Sequence, residues 1–563
     1  MNPLLFYLST LLTAATAFTS TPSVHSNGFQ YGIQMDAGSS GTRLYVYKWN
    51  ARIFKELPPS LTQVMTEESW SKKQNPGIST FGTNPTGAGA SIQPLLDFAI
   101  DVVLKSEGVT DVSVVPVFLG ATAGLRMLAP STVTAILTSV QSTVKNAGFM
   151  YKKEWIRVLS GEEEGAFGWV AANSLLGTLT SNDTSATVGA LDLGGASTQS
   201  TFHPSESILA GLFPLSIANV SHSLYTHSYL YYGADQARYS MYLDLIQAAS
   251  KTPGTDTGKT VINPCFPTGY ESTSDVNNPT IVFKGSSDWN ACLAAATKLI
   301  TDYQPLTPSS SKSVECLHSD HERCTCKSFL ICSSAFYYKK EVFNCYYQAM
   351  YLPFFSLFFF HLFQKPLVSI RKVNGVYQPA IPSKMKLLAM ASFYYNWGFF
   401  KLTTGMKEPS SDLNALVAAA ESFCNLDAIG QAAYNNSLPH PQHAPFVYDY
   451  CFGAAYSHAL LHTGYGLPLK DTPLQVVKTI NGNDVGWAYG AMLWEINRLG
   501  WSYDGNDTCS DFSVPFYVAI GGICLLGCVI MGLLAMIVRM KRRGENDLNG
   551  GLNYLDLNGG DPL

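Results

Sequence analysis

Two segments of this chain repeat one pattern, and this repetition limits the possible folds more than any other feature. Residues 31–49 (YGIQMDAGSSGTRLYVYKW) and 188–202 (VGALDLGGASTQSTF) each read as a strand, a tight polar turn and a second strand. In each segment the first strand ends in an aspartate, Asp36 or Asp192, and glycines follow; the two aspartates lie about 156 positions apart. The repetition predicts an internal duplication whose two half-sites face each other across a cleft.

The first turn carries the groups that a phosphate site needs. Its glycines allow positive φ and a close approach of the backbone, so its amide and hydroxyl groups can point at phosphate oxygens. These residues are Gly38, Ser39, Ser40, Gly41 and Thr42. Asp36 can hold a metal ion through water. An ordinary hairpin would explain one such segment equally well, whereas two favour a phosphate clamp.

A third segment, 120–128 (GATAGLRML), lies between the two turns. It follows an apolar run and places Thr122 and Arg126 at a strand-to-helix junction, where a helix N-terminus favours anions. Arg126 adds either charge-assisted contacts to a phosphate or a structural salt bridge. The sequence leaves both interpretations of this arginine open.

A fourth segment, 160–173 (SGEEEGAFGWVAAN), predicts a helix that starts with three glutamates. Compensation of the helix dipole explains Glu162 and Glu163. Glu164 precedes an apolar face, so we expect it to be partly desolvated, with its pKa raised towards that of a general base.

Two late segments, 449–466 and 484–494, carry weaker signals. The first predicts a buried helix that ends at glycine, and the second places glycines around Trp487. Taken alone, both favour core packing. His458 and His462 share a helix face but lack a third ligand, which disfavours a zinc site.

Composition excludes several classes of protein. The chain has 563 residues, of which 46% are hydrophobic and 14% charged, with a formal net charge of -5. These values exclude a disordered chain and a nucleic-acid-binding protein. The length predicts two to four domains.

Two apolar segments frame the chain and suggest its compartment. Residues 3–18 suit a secretory signal peptide, assigned to 1–20. Residues 516–538 carry no charge and precede a basic cluster, so they predict a transmembrane helix with 539–563 as a cytoplasmic tail. Together these two segments predict a single-pass type I membrane protein whose ectodomain lies outside the cell or in the secretory lumen.

Cysteines and glycosylation motifs agree with that compartment, where thiols oxidise. The candidate disulfide pairs are Cys265 with Cys292, Cys316 with Cys324, and Cys424 with Cys451. The sequence does not fix this connectivity. The candidate glycosylation sites are Asn182, Asn219, Asn435 and Asn506.

Five motifs in order carry a family resemblance. DAGSSGTR, GATAGLRML, GEEEGAFGW, LDLGGASTQ and DVGWAYGAML resemble the five apyrase-conserved regions of the ecto-nucleoside triphosphate diphosphohydrolases. The resemblance extends from about residue 31 to about residue 497. YYGADQA, NPCFPTGY and NGVYQP are similar to further segments of that family.

The resemblance implies an α/β fold of the actin-like type, with two ribonuclease-H-type domains and the active site in the cleft between them. Applied to this chain, it predicts a first domain from 28–160 with 476–505, and a second domain over 161–475. An oligomer is compatible with the sequence but is not indicated by it.

The resemblance also implies a reaction, the metal-assisted hydrolysis of terminal phosphates from nucleoside tri- and diphosphates. Glu164 resembles the base that activates water, and Asp36 and Asp192 resemble the carboxylates that hold a hydrated Ca²⁺ or Mg²⁺ ion. The residues implied to contact phosphate, water or nucleotide are Gly38, Ser39, Ser40, Gly41, Thr122, Gly194, Gly195, Ala196, Ser197, Gln199, Tyr394, Tyr395 and Trp487. One tyrosine of the Tyr394–Tyr395 pair would stack on the base.

One departure from the family leaves substrate preference open, since many surface members have histidine where this chain has Gly41. Two alternatives to the proposed ectoenzyme are a Golgi-type nucleoside diphosphatase and a non-catalytic ectodomain on the same scaffold. A sugar kinase or chaperone-type ATPase also uses two Asp-Gly loops, but the signal and anchor disfavour a cytosolic protein.

Residues 326–372 differ in composition from the rest of the chain. They contain 14 Phe or Tyr, no Gly and the run YLPFFSLFFFHLF. A membrane crossing here would put Trp487 and Asp36 on opposite sides of the membrane, although one cleft needs both. A membrane-dipping or partner-binding loop is one interpretation. We favour an insertion that is not native coding sequence.

Overall fold

A computed structural model describes most of the chain between Gly28 and Tyr503. The described residues are 28–54, 57–181, 183–250, 260–273, 281–302, 373, 375–402, 412–443 and 446–503. Several predictions lie outside them: the signal peptide, the transmembrane helix, the tail, the segment 326–372, the Cys316–Cys324 pair and the sequons at Asn182 and Asn506.

The described chain is a mixed α/β structure. Its strands are β1 Phe29–Ala37, β2 Thr42–Asn50, β3 Ile53–Phe54, β4 Ser71–Gln74, β5 Val117–Ala121, β6 Ile156–Val158, β7 Gly189–Leu193, β8 Ser197–Phe202, β9 Leu212–Ile217, β10 Val220–Leu230, β11 Thr260–Asn263, β12 Glu271–Thr273, β13 Val282–Gly285, β14 Leu387–Ala391, β15 Leu474–Val476, β16 Thr479–Ile480, β17 Asn483–Asp484 and β18 Ser502–Tyr503. Two larger sheets contain most of them, and the smaller sheets are β11-β13-β12, β16-β17 and β18-β3.

The first large sheet has the order β4-β2-β1-β5-β6. β2 runs antiparallel to both β1 and β4, whereas β5 runs parallel to β1 and β6. β1 lies in the middle and is apolar along most of its length, as expected for a strand covered on both faces. β4, with the sequence SKKQ, is the polar edge strand.

The second large sheet has the order β15-β14-β7-β8-β10-β9. β14 runs parallel to β7 and β15, and β8 runs antiparallel to β7 and β10. When β7 is matched to β1, the two sheets have the same topology, with two successive antiparallel pairings on one side and two successive parallel pairings on the other. β9 is an additional edge strand. This common order confirms the predicted duplication.

The helices lie between and beside these strands. They are α1 Pro85–Phe98, α2 Ala123–Arg126, α3 Pro130–Asn146, α4 Gly161–Leu175, α5 Ala234–Ser250, α6 Trp289–Thr301, α7 Ser392–Phe399, α8 Leu413–Cys424, α9 Ala428–Asn436, α10 Tyr450–His458 and α11 Trp487–Arg498. α4 packs against α11 and against β7, β8 and β10 of the second sheet.

Helix α4 begins where the sequence predicts. The Ser160 hydroxyl accepts a hydrogen bond from the Glu163 amide at 3.1 Å, and the Glu163 carboxylate accepts one from the Ser160 amide at 3.0 Å. This reciprocal capping box satisfies two amides at the helix start. Glu163 also pairs with Arg157 at 2.9 Å, so its structural interpretation is confirmed.

Buried apolar side chains form a core beside each sheet and a third cluster that joins the two. The joining cluster contains Tyr47 and Phe118 from the first sheet, Ala190 and Leu388 from the second, and Trp169 from α4. Both sheets belong to one compact unit, which contains the described residues of 28–52 and 58–500. A separate unit, described at residues 53–54, 57 and 501–503, contains the parallel β3–β18 pair.

One helix in the described part of the chain is long and apolar enough to cross a membrane. It is Pro85–Leu104, which comprises α1 and the π-helical turns that continue it. Ile92, Leu95 and Leu96 of this helix are buried in the core of the first sheet. A core helix of a soluble domain has the same length and composition, so this helix is not evidence for an anchor.

Two predicted disulfides are present, and they lie in the core of the second sheet. Their Cα atoms are 4.8 Å apart for Cys265–Cys292 and 5.6 Å apart for Cys424–Cys451. Both distances lie within the usual range for a disulfide. These two pairings are therefore confirmed.

The two described sequons differ in accessibility. Asn219 is exposed in the turn between β9 and β10. Asn435 is only 6% exposed, and its side-chain amide donates to the Gln442 carbonyl at 2.9 Å and accepts from the Gln442 amide at 2.8 Å. This burial makes Asn435 a less accessible acceptor for a glycan than Asn219.

Candidate functional site

One cavity of about 310 Å³ collects the predicted site residues. Fifteen of the sixteen residues predicted for catalysis, metal and nucleotide binding line it. They are Asp36, Gly38, Ser39, Ser40, Gly41, Thr122, Glu164, Asp192, Gly194, Gly195, Ala196, Ser197, Tyr394, Tyr395 and Trp487. The duplicated turns therefore lie at one site.

The two turns are built alike. The Gly38 amide donates to the Gly41 carbonyl at 3.0 Å, and the Gly194 amide donates to the Ser197 carbonyl at 3.0 Å. The turns also approach each other, because a Cβ placed on Gly195 would lie 2.8 Å from the Ser39 hydroxyl oxygen. A side chain at Gly195 would therefore block the space between the turns.

Helix α5 supports the second turn from behind. The amides of Ala234 and Asp235, at its first turn, donate to the carbonyls of Gly194 and Gly195 at 2.8 and 2.9 Å. These residues belong to the YYGADQA segment noted in the sequence. The carbonyl oxygens of the turn thus face α5, which fixes the orientation of the peptide groups between the helix and the cavity.

Glu164 is held by Arg126. Both terminal nitrogens of the guanidinium donate to Glu164 Oε2 at 3.0 Å, and Arg126 also donates to the Ser197 hydroxyl at 3.1 Å and to the Leu159 carbonyl at 3.0 Å. The predicted salt bridge is therefore present. All of the hydrogen bonds that Glu164 accepts from described side chains go to Oε2, so Oε1 remains the oxygen that can take a proton.

Burial raises the pKa of Glu164 above its ordinary value, and the nearby Glu162 adds to the rise while Arg126 opposes it. The side chain of Glu164 is 9% exposed. The predicted partial desolvation of this glutamate is thus confirmed. A carboxylate with a raised pKa inside a cavity is a better proton acceptor than an ordinary glutamate.

Asp36 and Asp192 form a second acidic feature of the cavity. Burial, and after it the charge of Glu164, raise the pKa of each to about 7. Arg43 and Lys73 act in the opposite direction on the pKa of Asp36. Three carboxylates therefore converge from β1, β7 and α4 on one cavity, with mutual repulsion when all are ionised.

This arrangement fits a divalent cation, because a cation would relieve the repulsion between the two aspartates. Carboxylate oxygens are the ligands that Ca²⁺ and Mg²⁺ prefer, and Mg²⁺ in particular keeps several of its waters. Among the described residues, no group of three His, Cys, Asp or Glu side chains is placed to hold one ion together. Two carboxylates are fewer than the six or more oxygen ligands that either ion takes, so water would complete the coordination.

Aromatic side chains line the other parts of the cavity. Trp487, 5% exposed, makes a side-chain hydrogen bond to Asp36 that lowers the pKa of that aspartate. Tyr395 is 54% exposed, whereas Tyr394 packs against the core of the second sheet. Tyr395 is therefore the better placed of the two tyrosines to stack on a planar ligand.

Gln199 is the one predicted nucleotide-binding residue that does not line the cavity. It is 1% exposed, and its amide nitrogen donates to the Ser197 hydroxyl at 2.8 Å and to the Ser228 hydroxyl at 3.0 Å. Gln199 thus lies behind Ser197 and acts on the cavity through that hydroxyl.

The sequence did not single out several cavity residues. Arg43 and Lys73 supply positive charge from β2 and β4, and Lys478 and Asp484 lie near the entry to α11. Arg43 could have been found, because the first turn pairs it directly with Asp36. Lys73 could not, since the pairing of β2 with β4 is not visible in the sequence.

A sequence model of the GDA1/CD39 (nucleoside phosphatase) family matches residues 23–354 and 369–506 of this chain. The chain belongs to this family. The match includes all five motifs and every residue that lines the cavity.

Curated members of the GDA1/CD39 family are similar over most of their length. Ectonucleoside triphosphate diphosphohydrolase 2 of Homo sapiens is 30% identical over 529 residues, covering 91% of this chain and 90% of its own. The same-named protein of Gallus gallus is 29% identical over 504 residues, and probable apyrase 3 of Arabidopsis thaliana is 27% identical over 480 residues. Each of these two alignments covers 84% of both chains.

The fold is similar to that of nucleoside triphosphate hydrolases from Neospora caninum. The TM-score is 0.52 at 16% identity, and the alignment covers 87% of this chain and 96% of the other. At this identity the likeness concerns the fold.

The family match leaves out part of the segment that the sequence predicts to be an insertion. It omits residues 355–368, which lie within 326–372 and include the FFF run. Residues 326–354 and 369–372 fall inside the match.

The raised pKa values of Asp36 and Asp192 predict how the effect of added Ca²⁺ on the unfolding temperature changes with pH. Asp36 and Asp192, each with a pKa of about 7, are protonated at pH 5 and must lose protons to bind a cation. Their raised pKa values stabilise the metal-free fold at low pH, and this contribution is lost as pH rises through 7. Added Ca²⁺ should therefore raise the unfolding temperature more at pH 8 than at pH 5. Equal shifts at both pH values would contradict a role for these carboxylates.

Proposed function

We propose that this chain removes terminal phosphates from nucleoside tri- and diphosphates, down to the monophosphate, by metal-assisted attack of water. The observation that carries the proposal is the convergence of two facing Asp-Gly turns and Glu164 on one cavity. Phosphoryl transfer needs neutralised oxygens and an in-line nucleophile more than covalent help from the protein. The chain offers groups for both needs.

The two turns would bind the phosphate that is transferred. Amide groups at Gly195 and Ala196 and the hydroxyls of Ser39 and Ser197 offer hydrogen bonds to its oxygens from both sides of the cavity. Thr122, which precedes α2, adds a hydroxyl. Clamping the phosphate from two sides restricts its orientation, which is the main requirement for in-line attack.

Asp36 and Asp192 would hold the hydrated divalent ion, either Ca²⁺ or Mg²⁺. When bound, this ion would neutralise charge on phosphate oxygens. Trp487, which lowers the pKa of Asp36 through a side-chain hydrogen bond, would help to orient this carboxylate.

Glu164 would act as the general base. Arg126 fixes one carboxylate oxygen, so Oε1 accepts a proton from the attacking water. The water oxygen bonds to phosphorus while the bridging phosphorus–oxygen bond breaks, and the shortened nucleotide leaves with the electron pair. The Ser197 hydroxyl oxygen accepts from both Arg126 and Gln199, so its own proton is free to be donated into the cavity.

The two sheets would correspond to two actin-like domains, with boundaries near 161 and 475. The described strands agree with such boundaries, because the strands of the first sheet end at Val158 and those of the second run from Gly189 to Val476. Tyr395 would stack on the nucleotide base, as its exposed ring allows.

We further propose that the chain is a glycosylated type I membrane protein with its active site outside the cytosol. The apolar segments at 3–18 and 516–538 and the two disulfides support this proposal. A plasma-membrane ectoenzyme and a Golgi-type diphosphatase share this topology. A non-catalytic ectodomain is disfavoured because the three acidic groups of the cavity are intact.

The decisive experiment is phosphate release by the purified full-length protein with ATP, ADP, UDP and GDP. We expect release from at least the nucleoside diphosphates, and a loss of at least about tenfold when a chelator removes divalent ions. Preference for UDP and GDP over ATP would favour the Golgi-type alternative. No release from any nucleotide, with Ca²⁺ or Mg²⁺ present, would contradict the proposed function.

A further inference from the structure

Three charged side chains form a row across the first sheet, on the face that lines the cavity. Asp36 on β1 pairs directly with Arg43 on β2, and Arg43 pairs directly with Lys73 on β4. All three line the cavity. Neighbouring strands are about 4.8 Å apart, so the row leads from the proposed metal and phosphate site outwards to the sheet edge.

Arg43 and Lys73 lack a carboxylate partner within ion-pair distance among the described residues. Arg43 donates one hydrogen bond, to the Tyr45 hydroxyl at 3.2 Å, and its guanidinium lies 6.0 Å from the centre of that ring. Most of its donors therefore remain available. Like charges that face each other on antiparallel strands repel, so this pair suits a site that receives an anion.

Lys73 and Asn75 fill the space beside Gly41. A Cβ on Gly41 would lie 2.6 Å from Lys73 Cε and would also collide with the Asn75 side chain. The lysine stem therefore crosses the first phosphate turn in the space that a side chain at position 41 would need. Lys73, which lies on β4, therefore places its positively charged side chain in this part of the cavity.

The neighbouring Lys72 has a different environment. Its ammonium donates to the Pro94 carbonyl at 3.4 Å and lies 5.4 Å from the centre of the Phe98 ring. Lys72 does not line the cavity. The two lysines therefore form a matched pair, of which one faces the proposed site and the other packs on α1.

We propose that Arg43 and Lys73 form a subsite for the phosphates of the leaving nucleotide. Arg43, next to Asp36, would bind the phosphate adjacent to the transferred one, which both tri- and diphosphates have. Lys73, one strand further out, would bind the next phosphate, which only triphosphates have. An arginine suits the first position because its planar fork can bind two phosphate oxygens, and lysine acts as a point charge at the second. This proposal rests on the proposed function and specifies its substrate class.

Steady-state kinetics of Lys73→Met with ATP and ADP test the subsite. We expect KM for ATP to rise about tenfold, equivalent to about 1.4 kcal/mol of binding, while KM for ADP changes less than about twofold. Lys72→Met should leave both KM values unchanged. Lys73→Arg keeps the positive charge, so its KM for ATP should stay close to that of wild type. Lys73 is exposed, so its substitution should not affect folding.

Arg43→Gln should behave differently and raise KM for ATP and ADP alike by about tenfold. Its folding is checked by thermal unfolding, because the substitution also removes the contact with Tyr45. If Lys73→Met weakens ATP and ADP equally, or matches Lys72→Met, the subsite is wrong.

Failure of the proposed function can be separated from failure of the subsite. If the wild-type protein releases no phosphate, calorimetry with the same two nucleotides measures binding directly. The subsite still requires Lys73→Met to weaken ATP about tenfold and ADP by less than about twofold. Equal affinities of wild-type and Lys73→Met protein for ATP would overturn it without reference to catalysis.

Discussion

Glu164→Gln is expected to lower kcat for phosphate release by at least about a hundredfold, since a general base typically contributes 10²–10⁴. Glutamine keeps the shape of the side chain, and its oxygen can still accept from Arg126. The amide nitrogen that then replaces the second carboxylate oxygen cannot take a proton from water. KM should change much less than kcat, because the substitution leaves the phosphate turns intact. The measurement is phosphate release with ATP or ADP at saturating Ca²⁺ or Mg²⁺.

Glu162→Gln is the matched control for this substitution. Glu162 lies two residues earlier in the first turn of α4 and does not line the cavity. Its substitution also removes one negative charge from the first turn of α4, but it changes no group that lines the cavity. We therefore expect activity within about twofold of wild type. A folded Glu164→Gln protein that keeps more than about a tenth of wild-type activity would exclude Glu164 as the base.

The local parts of the site were readable from the sequence because each turn is encoded in a few consecutive residues. Asp36 and Asp192 each lie one residue before the end of their strand, and the glycines and hydroxyl residues that follow form the turns. Helix α4 was equally local, since Ser160 and Glu163 make its capping box. The facing of the two turns followed from their repetition.

Features that depend on strand register could not be predicted. The hairpin turn fixes the pairing of Arg43 with Asp36, but Lys73 reaches the cavity only because β4 pairs with β2 in one register. A shift of one residue would have placed Lys72 there instead. Gln199 shows the same limit, because its position behind Ser197 depends on the pairing of β8 with β10.

The burial of individual side chains could not be predicted either. Tyr394 and Tyr395 are equivalent in the sequence, and only the packing of α7 shows that Tyr395 is exposed. Asn435 carries a valid sequon, but α9 turns its amide inwards to Gln442. Both outcomes depend on contacts between elements that are distant in sequence.

Asp192→Asn is expected to abolish most of the activity and to weaken the response to divalent ions. The substitution keeps the side-chain shape and removes one of the two charges proposed to hold the ion. We expect at least about a hundredfold lower kcat at ordinary ion concentrations, with partial recovery at high Ca²⁺ or Mg²⁺. Phosphate release titrated with each ion measures both effects. Asp183→Ala, an exposed aspartate that caps a short helix before β7, is the control.

Thermal unfolding in chelator separates this role from a general loss of structure. Asp192 has its pKa raised to about 7 by burial and by the charges of Glu164 and Asp36. At pH 8 the ionised carboxylate therefore destabilises the metal-free fold, and this penalty disappears below about pH 4, where the group is protonated in both states. In chelator, Asp192→Asn should thus be more stable than wild type at pH 8 and lose that advantage at low pH. A variant that is inactive and less stable at both pH values would show a structural role for Asp192 instead.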